Sequence, residues 1–87
     1  MLRKAVRKHP SEIGFYRMLA RAEQESGAMA ESHRANAEAY YLAGDLPSAI
    51  RQLKIAQSLA DKDNFYVQSS ISARLKELEF KQAQTKK

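Results

Sequence analysis

The chain has no cysteine and no tryptophan. Without a thiol there is no disulfide to staple the fold, no thiolate metal site and no cysteine nucleophile. Its three glycines, Gly14, Gly27 and Gly44, stand isolated, so no glycine-rich loop is present to cradle a phosphate. Histidine occurs only at His9 and His33, and neither has a second histidine at HExxH or comparable ligand spacing. His33 is read as a packed ring standing in for an aromatic. The serines lie in no GxSxG-like elbow and have no base at helical spacing. No catalytic, cofactor-binding or metal-binding residue is therefore expected, and the chain itself is read as non-enzymatic. No apolar run approaches the roughly 18 residues that cross a bilayer, so no membrane insertion is expected, and MLRKAVRKHP lacks the apolar centre of a signal peptide. These residues alone leave cytoplasm and periplasm open.

What is present is charge at the ends and helical periodicity between them. Fifteen basic residues against 10 acidic give a formal charge of +5 over 87 residues. The surplus sits mostly at Arg3, Lys4, Arg7 and Lys8 in front and at Lys81, Lys86 and Lys87 behind. A nucleic-acid surface gathers its lysines and arginines on one face, whereas these flank the folded part. Solvated termini are the preferred reading, and a small basic helical nucleic-acid-binding domain is the alternative. With 44% hydrophobic residues the chain is long enough for one domain, one that buries only about 60% of its unfolded surface.

The organising stretch runs from Ala30 to Leu59. Leu46, Ala49, Ile50, Leu53, Ala56 and Leu59 recur at three- and four-residue intervals, with Arg51, Gln52, Lys54 and Ser58 mainly on the other side. Ahead of them Ala30, His33, Ala37, Tyr40 and Tyr41 keep the same period, and Gly44-Asp45 lies between the two segments. The pair predicts an antiparallel helical hairpin. Pro10-Ser11 opens an earlier helix, with Ser11 expected as its N-cap and Ile13, Tyr16, Leu19, Ala20 and Glu23 on its inner stripe. Gly27 is expected to end that helix. Asp63 or Asn64 is expected to cap a last helix carrying Val67, Ile71, Leu75 and Leu78 on one stripe, with Arg74, Lys76, Glu77 and Glu79 off it. Residues 81–87 carry no apolar pattern and are expected to form a frayed basic tail. The fold class expected is all-α, an antiparallel helix-turn-helix stack of about four full helices plus a truncated first one.

This spacing resembles the tetratricopeptide repeat (TPR) family. His33 stands at the first aromatic site of that pattern, Asn36-Ala37 at the Leu-Gly pair, Tyr40 at the Tyr and Gly44 at the turn, with Ala49, Leu53 and Ala56 on the small-large-small ladder and Asp61 in place of the closing proline. A second frame runs through Tyr16, Leu19-Ala20, Glu23 and Gly27 to Ser32, Asn36 and Ala39. Gly27 and Gly44 are half of the roughly 34-residue period apart, so the middle helix belongs to both frames. Which helices line a concave face stays open at this point.

Leu2, Ala5 and Pro10 match the tail of the same pattern, which makes residues 1–9 the remnant of a preceding repeat and 11–80 the helical stack. A piece of a longer protein is the preferred reading, and a short free-standing protein with a frayed first turn is the alternative. The edge at Leu2, Ala5 and Val6 allows a monomer or a weak dimer.

The runs AESHRANAEAYYLAGD and FYxxxxIxARLKEL narrow the likeness. They look like the C-terminal TPR region of bacterial periplasmic zinc metallopeptidases that take part in quality control of outer-membrane proteins. That resemblance implies a non-catalytic arm, a periplasmic location and a protein or peptide partner, with no small-molecule substrate. By analogy with the family's use of first-helix side chains, Arg17, Arg21, Arg34, Glu38 and Tyr41 are the candidate partner-binding residues. Within the neighbouring aromatic pairs, Tyr40 is expected inward and Tyr41 toward the groove, and one ring of Phe65 and Tyr66 is expected to face the core.

Overall fold

The computed structural model describes residues 10–85 as four α-helices, with no strand among the described residues. These are α1 (Pro10–Glu25), α2 (Met29–Leu42), α3 (Leu46–Leu59) and α4 (Phe65–Thr85). Each helix packs on the next in sequence, and the short connections turn each one back along its neighbour. The result is the expected all-α stack. The proposed remnant at residues 1–9, with Leu2, Ala5 and Val6, lies outside the described residues.

Two glycines make the first two turns by the same device. Gly27 (φ +92°) and Gly44 (φ +85°) occupy the left-handed region that follows a helix end. In each case a Schellman pair of hydrogen bonds closes the turn: the Gly27 and Ala28 amides donate to the Gln24 and Glu23 carbonyls, and those of Gly44 and Asp45 donate to Tyr41 and Tyr40. Space is not limiting, since a Cβ at Gly44 would meet nothing within 4 Å. The conformation itself is. Gly44→Ala should therefore cost about 1 kcal/mol in chemical denaturation, whereas Gly14→Ala, within α1 at negative φ, should be neutral or mildly stabilising.

Helix starts are set by short polar side chains. The Asp45 carboxylate accepts from the Ser48 amide at 3.2 Å, and Pro47 follows in the first turn of α3, where its missing N–H is harmless. Asn64, of the two residues expected, caps α4 by accepting from the Val67 amide at 3.2 Å. Ser11 does not precede α1, because the helix already includes Pro10 and Ser11 falls inside the first turn. α4 also continues to Thr85, well past Phe80, so the expected frayed tail from residue 81 is helical through 85. Lys81 and Gln82 are both partly buried, which explains why the helix holds where the apolar pattern has ended.

The core runs along α2, α3 and α4. Leu53, Ile71 and Leu78 are its largest fully buried side chains, and Ala37, Ala49 and Ala56 are wholly enclosed where backbones approach closely. α2 is covered on two sides. It buries Ser32, Ala35 and Ala39 as well as Ala30 and Ala37, and the Ser32 hydroxyl donates to the Ala20 carbonyl of α1 at 2.8 Å. α2 is thus packed against α1 on one side and α3 on the other. His33 is indeed a packed ring, half-buried, with Nδ1 2.7 Å from Gln52 Oε1 of α3. Two expectations fail at the edges. Phe65 and Tyr66 are both exposed, since they stand at the first turn of α4 beyond the reach of α3, and Leu59, the last residue of α3, is half exposed.

A candidate binding cleft between α1, α2 and α4

One opening is a cleft of about 580 Å³ walled by Glu31, Arg34, Ala35 and Glu38 of α2 and by Ser70, Ala73, Arg74 and Glu77 of α4. Tyr16, Leu19 and Glu23 of α1 flank it, and Leu53 is the contribution of α3. α2 and α4 thus form the lining layer, with α3 behind it.

One side chain spans from α4 to α2. Arg74 donates from Nε and Nη2 to the two carboxylate oxygens of Glu38, each at 2.8 Å, and its Nη1 reaches Glu77 Oε1 at 3.0 Å. The guanidinium also lies over the Tyr41 ring, 4.9 Å from its centroid. The hydrogen bond to Glu38 raises the Arg74 pKa above its already high value, against the opposing effect of burial, so Arg74 stays charged at every accessible pH. By contrast Lys54 and Glu79 sit 3.9 Å apart in the open and add little.

The expected binding residues divide. Arg34 and Glu38 line the cleft, whereas Tyr41 lines the opening at the turn between α2 and α3, and both Glu38 and Tyr41 are engaged by Arg74 and half-buried. Arg17 lines a separate recess of about 230 Å³ with Asn36, Ala39 and Tyr40, on the far side of α2 by the 100° advance per residue. Arg21 is exposed and follows Arg17 along the same flank of α1, away from the cleft-facing Tyr16, Leu19 and Glu23. The five candidates therefore do not form one surface. Tyr40 and Tyr41 are both half-buried rather than one in and one out. Arg74 and Glu23 are among the cleft residues that the sequence reading did not place in a groove. The spacing held a hint for the first, because Arg74 falls three residues after Ile71 and four before Leu78, within the buried stripe.

Glu23 is the strained group of the cleft. Its Oε1 is buried without a hydrogen-bond partner. Burial, and then the nearby Glu31 carboxylate, raise its pKa above the usual glutamate value, while Arg34 pulls the other way. A raised carboxyl pKa means that the folded chain holds this proton more tightly than the unfolded chain. Its contribution to stability is thus present at low pH and is lost as pH rises through the raised value. Glu23→Gln should accordingly raise stability by about 0.5 kcal/mol at neutral pH. The gain should shrink on acidification into the carboxylate range, as thermal melts at several pH values will register.

A third opening lies at the turn between α2 and α3, where Tyr41, Gly44, Leu46 and Pro47 face Lys81 and Gln84 of α4. Among the described residues, no group of three or more His, Cys, Asp or Glu side chains could hold a metal ion, and no helix is long and apolar enough to cross a membrane. Comparison with models of protein families, with curated proteins and with solved structures returns no match.

Proposed function

We propose that the chain is a protein-interaction module that holds an extended peptide or protein segment in the cleft between α2 and α4. The observation that carries this reading is the cleft itself, a concavity whose two walls are linked by the Arg74–Glu38 clamp. A pre-formed wall loses little conformational entropy when a partner is seated, which favours binding over a surface that must first order itself. The walls alternate charged side chains with small apolar ones, Ala35 and Ala73 among them, a pattern suited to a peptide's mixed backbone and side-chain surface.

The likeness to TPR arrays supports the same reading, as does the likeness to the C-terminal arm of periplasmic zinc metallopeptidases. In that reading the chain is non-catalytic and positions a client for a peptidase domain that acts in outer-membrane protein quality control. An HExxH-bearing segment in the reading frame ahead of Met1 would tie the two together.

Site-specific photocrosslinking tests the cleft. A photoreactive residue at Ala73, exposed on the cleft wall, is compared with one at Phe80, exposed on α4 but outside it. Crosslinks to a defined partner should concentrate at position 73. Equal labelling at both positions would count against the cleft as the docking site.

A further inference from the structure

The cleft's charge runs opposite to that of the whole chain. The protein carries +5, yet the cleft sets four carboxylates, Glu23, Glu31, Glu38 and Glu77, against two guanidiniums, Arg34 and Arg74, a balance of −2. At the α4 end the charges are satisfied internally, with every Arg74 nitrogen engaged by Glu38 or Glu77. At the α1 end they are not. Among the described residues no salt bridge closes on Glu23, Glu31 or Arg34, and the buried Glu23 Oε1 accepts no hydrogen bond. An unpaired buried acceptor beside a second carboxylate is costly until a donor arrives. The carboxylates do not converge as metal ligands do, so the missing donor is not a bare cation. The same end of the cleft is apolar around them, with Tyr16 and Leu19 of α1 facing Leu53.

Resting on the reading of the cleft as a peptide site, we infer that its occupant is a basic, partly apolar peptide segment whose lysine or arginine enters between Glu23 and Glu31. The head group draws the Glu23 carboxylate out of its buried, unpartnered position and separates two like charges. The aliphatic stem of the same side chain covers Tyr16 and Leu19. An acidic segment meets net repulsion in the cleft and is rejected.

Fluorescence anisotropy on the full chain with two labelled peptides of about ten residues separates the outcomes. One alternates leucine with lysine and the other alternates leucine with glutamate. At low salt the lysine peptide should bind at least about tenfold more tightly than the glutamate peptide. The double variant Glu23→Gln, Glu31→Gln should lose about tenfold for the lysine peptide. Lys62→Gln, which removes an exposed charge in the turn between α3 and α4 outside the cleft, should bind as the parent does. Circular dichroism of each variant confirms that the helices remain. An undiminished affinity in the double variant, or a preference for the glutamate peptide with amide shifts at Tyr16 and Leu19, overturns the basic occupant while leaving a peptide cleft in place. Absence of any binding or cleft shift up to about 1 mM of either peptide overturns both.

Discussion

Leu53→Ala is expected to cost about 2–5 kcal/mol in urea or thermal unfolding. Leu53 is 1% exposed, at the middle of α3, where it meets the core shared with α2 and α4 and forms the back of the cleft. Removing most of its side chain loses the transfer free energy of the deleted carbons and leaves a void, because the neighbouring alanines are already in close contact and cannot move inward to fill it. For a chain of this size such a loss lowers the melting temperature by about 10 °C or more, and a domain with about 5 kcal/mol to begin with would keep only about 0–3 kcal/mol. Leu59→Ala is the matched control. The same deletion at a half-exposed helix end should stay within about 0.5 kcal/mol. If the two variants melt alike, the burial pattern described for α3 is wrong.

Arg74→Ala should be the most damaging change among the polar residues, at about 2 kcal/mol. The substitution removes two charge-assisted hydrogen bonds to Glu38, one contact to Glu77 and the cover over Tyr41, and it leaves the Glu38 carboxylate half-buried without its cation. Arg74→Lys should recover only part of that loss, since an ammonium cannot form the paired fork with Glu38 and stack on the ring at once. A double-mutant cycle with Glu38→Ala isolates the pair. A coupling of about 1–2 kcal/mol is expected, and a value near zero would reduce the clamp to a surface ion pair. The cleft should respond as well, because Arg74 ties its α4 wall to its α2 wall through Glu38. Peptide affinity should fall in Arg74→Ala even where the helices remain fully formed.

The helices and their order were legible because apolar period and turn glycines act locally. Leu46 to Ala56 declares one face of α3 by spacing alone, and a glycine followed by a small or capping residue announces the two Schellman turns. The site was less legible because it depends on which charged residue meets which across distant helices. Arg74 and Glu38 are far apart in the chain, and nothing in either local pattern names the other. Arg17 and Arg34 look equivalent as members of arginine stripes, yet the direction in which α1 rests on α2 sends them to opposite sides of the middle helix. The ends of helices were also hard to read. Phe65 and Tyr66 have the composition of a core and lie beyond the end of α3, whereas residues 81–85 lack a pattern and extend a helix that its upstream turns already hold.

Because each rod touches chiefly the one before and the one after it, unfolding can proceed from an outer helix without first breaching the centre. Under native-state deuterium exchange, α2 and α3 should release their amide protons last and α1 sooner. α4 should hold on longer than α1, since its guanidinium tie reaches past its neighbour to a second helix. The molecule would then loosen in a fixed sequence, shedding the Tyr16 and Glu23 side of the cleft first and keeping the wall built around Arg74.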